Sequence, residues 1–93
     1  MEKTGLFDIN GEEFERGQVV SFGKCFDDNE EFGYVEKEFG NWQVIGIAKE
    51  WNNKTYFQLD LNARNRIHGC KIVDDITLEY SFEEIRNRLH MID

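Results

Sequence analysis

The chain predicts a mainly β fold: a small antiparallel barrel or bent sheet of five to six strands with one C-terminal α-helix. Three observations carry this expectation. Apolar and polar residues alternate with a period of two through the middle of the chain, most cleanly over 55–61. Tight-turn dipeptides separate the alternating runs. After Tyr80 the apolar spacing changes to a helical one. A length of 93 residues fits a single domain, 1–93, β-rich over 1–80 and helical over 81–92. A chain this short buries only about 60–65% of its unfolded surface, so its core is thin.

The elements follow in order. Gln18 to Phe22 reads as a short strand reached through a turn at Gly17. Residues 31–39 alternate, with Phe32, Tyr34, Glu36 and Glu38 on one face and Glu31, Gly33, Val35, Lys37 and Phe39 on the other. Gly40-Asn41 is a two-residue hairpin signal. Trp42 to Ala48 is the return strand, Ile45 and Ile47 on one face and Trp42 and Val44 on the other. Asn52-Asn53 suits a second tight turn. In the next strand Phe57, Leu59 and Leu61 point inward and Tyr56, Gln58 and Asp60 outward. Asn62 to Arg66 is polar and reads as a loop, followed by short strands over Ile67–Val73 and Ile76–Tyr80. Ser81 and Glu84 form a capping box, and Phe82, Ile85, Leu89 and Ile92 line one helical stripe.

Charge is distributed unevenly. Residues 1–40 hold eleven acids against four bases, a net of −7, while residues 41–93 hold eight against seven, a net of −1. Such asymmetry speaks of partners rather than of fold: it repels nucleic acid and anionic membrane and attracts basic surfaces. No apolar run approaches the roughly 18–20 residues that span a bilayer. The N-terminal residues show no basic region followed by an apolar run, which predicts a cytoplasmic protein, the host cytoplasm if phage-encoded. In that compartment Cys25 and Cys70 are expected as reduced thiols.

Catalytic patterns are sparse, and no catalytic residue, metal or cofactor is expected. His68 and Cys70 would share one side of a strand, but two ligands do not make a zinc site and no second pair has the spacing. A hydrolase or metal protein built on them is the third reading of the chain. Cys25 has Lys24 beside it, but Asp27 and Asp28 oppose a lowered thiol pKa. No glycine-rich phosphate loop is present. Arg64, Arg66 and Lys71 form a small basic group that the overall charge argues against using on nucleic acid.

The segment from Phe26 to Phe39 has six acids, one base and four aromatics in fourteen residues. Alternate carboxylates on a strand project about 6.5–7 Å apart, a spacing comparable to that of successive phosphates. The candidate partner-binding residues are therefore Asp27, Asp28, Glu30, Glu31, Phe32, Tyr34, Glu36 and Glu38, offered to a basic protein surface such as that of a nucleic-acid-handling enzyme. The plainer reading is a solvated edge strand whose charge keeps the sheet soluble.

From Leu6 onward, the run Asp8-Ile9-Asn10-Gly11-Glu12-Glu13-Phe14-Glu15-Arg16-Gly17-Gln18-Val19-Val20 resembles the lead-in to the first strand of the C-terminal barrel in YopX-type phage proteins. Gly33-Tyr34-Val35 and Trp42-Gln43-Val44 follow in similar order, and Gln18 stands where that family usually has an acid. The resemblance spans residues 6–60 and implies a small barrel of the Src-homology-3 type, with no catalytic residue to transfer. In size and charge the chain is also similar to anti-CRISPR and DNA-mimic phage inhibitors. The expected function is a non-enzymatic inhibitor of that type. The alternative is a structural or regulatory phage module without an inhibitory role.

Overall fold

A computed structural model describes residues 2–24, 30–50 and 53–89. The fold is mainly β, with two helices. A hairpin of β1 (Lys3–Phe7) and β2 (Glu13–Glu15) forms a separate two-stranded sheet. The main sheet is built from β3 (Val19–Lys24), β4 (Glu30–Glu38), β5 (Asn41–Glu50), β6 (Asn53–Asp60) and β7 (Lys71–Ile72). Its order is β6-β5-β4-β3-β7, and every pairing is antiparallel. Helix α1 (Leu61–His68) precedes β7, and α2 (Phe82–Leu89) follows it. The edge strands β6 and β7 do not pair with each other, so the sheet is bent and open rather than a closed barrel.

The long central meander forms where alternation and turn chemistry agree. Val44 and Trp42 face one side and Ile45 and Ile47 the other, as the period of two demands. The β4–β5 register pairs Glu38 with Asn41, so the two-residue loop is Phe39-Gly40, one position earlier than the Gly40-Asn41 signal. Both loop residues have positive φ, 53° and 81°, the geometry that matches the twist of the flanking strands. Asn52 lies outside the described residues.

Both faces of the sheet are covered. On the first, Phe14, Val20, Phe22, Val35, Val44, Leu61, Cys70 and Ile72 form a buried cluster joined by Leu6, Trp42, Phe57 and Leu59. On the second, Tyr34, Ile45 and Ile85 are buried among Val19, Ile47, Tyr56, Leu78, Tyr80 and Phe82. The β1–β2 hairpin and α1 thus cover the first face, while the 78–82 segment and α2 cover the second. Sheet glycines permit this close packing. A Cβ at Gly33 would lie 2.6 Å from Val44 Cγ1, and one at Gly46 would collide with the Phe57 ring.

Three expectations are corrected. The expected loop over 62–66 and the start of the expected strand over 67–73 are helix α1. The Asp60 carboxylate accepts from Ala63 N at 2.9 Å, and Gly69, at φ 70°, closes the helix with its N–H on Asn65 O at 3.0 Å. Leu61 is buried as expected, but as the first residue of this helix rather than the last of a strand. Only Lys71–Ile72 remains strand, and Ile76–Tyr80 forms none. Instead of extending the sheet edge, this segment runs to its second face, where Leu78 and Tyr80 supply apolar cover.

The serine half of the α2 capping box is present, while the glutamate reaches back to the serine hydroxyl instead of its backbone N–H. Glu84 N donates to Ser81 Oγ at 3.2 Å, and the Glu84 carboxylate accepts from the serine hydroxyl at the same distance. Of the helical stripe, Phe82 and Ile85 pack on the sheet; Ile92 lies outside the described residues.

The turn between β1 and β2 is organised around a buried acid. Asp8 is buried, and its Oδ1 accepts from Asn10 N and Glu12 N at 2.9 and 2.8 Å. Its Oδ2 accepts from Ile72 N at 3.1 Å, which ties the hairpin turn to β7. Gly11, at φ 83°, completes the turn.

Candidate partner-binding face

Strand β4 carries most of the sequence-derived candidates, and the structure divides them. Asp27 and Asp28 lie outside the described residues, and Glu30 is described only as the first residue of the strand. Glu38 is half-buried near the strand's end. Tyr34 is buried: its hydroxyl donates to Tyr80 O at 2.8 Å, and its ring lies 5.6 Å from that of Phe82. Burial, with a smaller contribution from Glu84, raises the Tyr34 pKa. Tyr34 therefore joins the sheet to the segment before α2.

Glu36 is also internal, only 2% exposed. Arg16 grips it through two bonds, Nε to Oε1 at 2.6 Å and Nη2 to Oε2 at 3.1 Å. Arg86 approaches Oε2 from α2 at 3.1 Å, and Lys37 N donates to Oε1 at 2.8 Å. Burial alone would raise the carboxyl's pKa. The Arg16 and Lys37 hydrogen bonds, with the charges of both arginines, outweigh it and hold Glu36 below the usual carboxylate range. The same hydrogen bond is the main reason that Arg16 titrates above its ordinary value. The guanidinium of Arg16 also sits 5.4 Å over the Phe82 ring. Glu36 is thus a junction between the β2–β3 connection, β4 and α2.

Glu31 and Phe32 are placed differently. A register irregularity between Ser21 and Gly23 of β3 lies opposite them, as expected of a β-bulge. Both line a cleft of about 200 Å³ on the second face, together with Ile47, Leu78, Glu79, Tyr80 and Ile85. Its apolar side chains come from β4, β5, α2 and the segment before α2, and two carboxylates stand among them.

Glu79 belongs to an acidic run that the near-zero net charge of residues 41–93 conceals. Asp74, Asp75, Glu79, Glu83 and Glu84 are all exposed, and no base occurs between residues 72 and 85. Lys71 before the run and Arg86 and Arg88 after it balance the sum and hide the block. A sliding count over about a dozen residues would have found it.

His68 and Cys70 do not share a strand face. His68 ends α1 and is exposed, whereas Cys70 follows the helix and is fully buried. Burial pushes the Cys70 thiol up to about 11, against a smaller opposing effect of Arg64. Among the described residues no three His, Cys, Asp or Glu side chains converge as a metal site would require. Nor, among them, is any helix long and apolar enough to cross a membrane. No family model, curated protein or solved structure matches the chain.

Proposed function

We propose that this chain is a non-enzymatic acidic binding protein that occupies a basic, nucleic-acid-binding surface of an enzyme, as cytoplasmic phage-type inhibitors do. The observation that carries the reading is the second face of the sheet, where Glu31 and Glu79 line a cleft together with Phe32, Ile47, Leu78 and Ile85, and Glu79 belongs to the exposed acidic run 74–84. Carboxylates steer a cationic surface into contact, and an apolar cleft then supplies the short-range part of the affinity. Glu31 and Phe32 remain in this face, Glu79 joins them, and Tyr34 and Glu36 support it from beneath.

A labelled arginine-rich peptide serves as a surrogate basic surface. It should bind the chain with an affinity that falls steeply with salt, since exposed charges are screened within about 8–10 Å at physiological ionic strength. The triple variant Asp74→Asn, Asp75→Asn, Glu79→Gln preserves shape and should slow association. Any cellular enzyme captured by the chain should be released by competing duplex DNA. Equal peptide binding by parent and triple variant at low salt, or a captured enzyme that DNA does not displace, would refute the reading.

A further inference from the structure

A second cleft lies where β5 begins. Gln43 of β5 pairs with Asp60, the last residue of β6, so Asn41 and Trp42 reach past that strand to the start of α1. There they meet Thr4 and Leu6 of β1, and with Asp60, Asn62 and Gly40 they line a space of about 190 Å³. It shares no lining residue with the cleft on the second face. The loop that brings Gly40 and Asn41 to it is strained: Phe39, 91% exposed, is held at φ 53°. A bulky side chain at positive φ is a steric outlier, and such outliers gather at functional sites.

The lining divides into committed and free groups. Thr4 Oγ1 accepts from Leu6 N at 3.0 Å and donates to Leu6 O at 3.3 Å, so it is spent on its own turn. Asp60 Oδ1 accepts from Ala63 N to cap α1. Asn41 and Asn62 are exposed, and no hydrogen bond among the described residues engages either carboxamide. Each carboxamide offers a donor and an acceptor side by side. Leu6 and Trp42 are half-buried against the first-face core and give the space an apolar wall.

This composition excludes most ligand classes. Among the described residues no cation lines the cleft, which disfavours phosphates and carboxylates. Lys37 Nζ already stands 5.4 Å over the Trp42 ring, which disfavours a cationic ligand on that ring. Two large apolar side chains among polar neighbours are too few to enclose a wholly apolar molecule. The volume is below the about 300–1,000 Å³ of drug-sized sites, so the space holds one ring rather than a chain. What remains is a neutral ring that carries several hydroxyls and presents an apolar C–H face. We infer that this cleft binds a single neutral pyranose, its C–H face against Trp42 and Leu6 and its neighbouring hydroxyls on the Asn41 and Asn62 carboxamides. The electron-rich face of an indole attracts C–H groups, and a carboxamide matches the donor and acceptor of vicinal hydroxyls.

Heteronuclear NMR titration of the full chain with methyl β-glucopyranoside, methyl β-galactopyranoside and methyl α-mannopyranoside, each to tens of millimolar, tests the inference. At least one should move the Trp42 indole N–H and the Asn41 and Asn62 side-chain amides along a saturating curve. Inorganic phosphate, which is charged, and cyclohexanol, which has a single hydroxyl, should not. Asn62→Ala should weaken sugar binding about fivefold, and Asn41→Ala with Asn62→Ala about tenfold or more. Alanine is the better helix former, so Asn62→Ala should melt no lower than the parent, and it decides the matter alone if the double variant is destabilised. A flat response to all three sugars, unchanged affinity in Asn62→Ala, or an equal response to cyclohexanol or phosphate overturns the inference. None of these outcomes bears on the acidic cleft, whose test uses different residues.

Discussion

The Arg16–Glu36–Arg86 junction allows a prediction whose sign and order follow from which member is buried. Glu36 is nearly inaccessible, while the Arg16 and Arg86 side chains are 33% and 41% exposed. Removing the acid therefore leaves two cations that can turn to water. Removing Arg16 leaves a buried carboxylate with only Arg86 and the Lys37 amide. Stripping one partner from a fully buried ion pair costs about 3–5 kcal/mol. Because Arg86 remains and Arg16 is partly solvated, Arg16→Ala should cost about 2–3 kcal/mol, including its contact over Phe82. Glu36→Gln keeps one acceptor and the shape, and should cost about 1.5–2.5 kcal/mol, the range of a charge-assisted hydrogen bond. Arg86→Ala removes one partly exposed contact and should cost about 0.5–1 kcal/mol.

The pH dependence gives a second, independent readout. The folded pKa of Glu36 lies below its ordinary value of 4.5, so the folded state holds fewer protons on this group than the unfolded chain. The resulting stability is fully present above pH 4.5 and is lost as pH falls from there through the folded value. Urea unfolding of the parent between neutral pH and pH 3 should show this loss, and Glu36→Gln should flatten that part of the profile. If Glu36→Gln matches the parent at neutral pH and keeps the same acid slope, the junction contributes nothing. If Arg86→Ala proves more costly than Arg16→Ala, the assignment of the principal partner is wrong.

Further expectations concern packing, capping and thiol chemistry. Gly46→Ala forces a methyl group against the Phe57 ring and should destabilise by about 1–3 kcal/mol, the usual cost of overpacking, read from the urea midpoint. Ile85→Ala should cost about 2–5 kcal/mol if α2 is seated on the second face, and an effect below about half a kilocalorie would mean that the helix is not seated. Ser81→Ala should lose about 0.5–2 kcal/mol through its cap, whereas Ser81→Asp should restore most of it. In a Cys25→Ser background, Cys70 should resist an aromatic disulfide reagent at pH 8 and react on addition of denaturant. Burial and a thiol pKa raised to about 11 both act against reaction in the folded state, and prompt reaction there would contradict the burial.

The meander over β3 to β6 was legible because its side chains alternate and because Gly40, at φ 81°, marks the loop between β4 and β5, although Phe39 shares that positive φ and gave no signal of it. The β1–β2 hairpin was not. Gly5 interrupts β1 at φ 75°, and β2 offers a single buried side chain, Phe14, so neither strand produces a countable alternation. Helix α1 was hidden by its polarity, since Leu61 is its one buried residue. Its ends were nonetheless written in Asp60 and Gly69, and giving those caps precedence over the polar composition would have recovered it. Glu36 illustrates a different limit. An acid at an alternating strand position reads as solvent-facing until the chain returns with a cation, and both arginines come from elements remote in sequence.

That limit bears directly on the charge asymmetry of the chain. The excess of acids in residues 1–40 and their density over 26–39 point to that segment as the interaction site, but its described part contains carboxylates in different physical situations. Glu36 is neutralised internally and contributes to stability, while Glu31 lines a cleft whose other carboxylate, Glu79, comes from the nominally neutral half. Steering depends on the field outside the surface, so a buried, doubly paired acid adds little to it, and an exposed block such as 74–84 adds more. Wholesale neutralisation of residues 26–39 would therefore combine a folding defect with a binding defect and identify neither. Glu36→Gln should lower stability without a specific change in association rate, and the Asp74, Asp75 and Glu79 amides should do the reverse. The separation follows from burial alone.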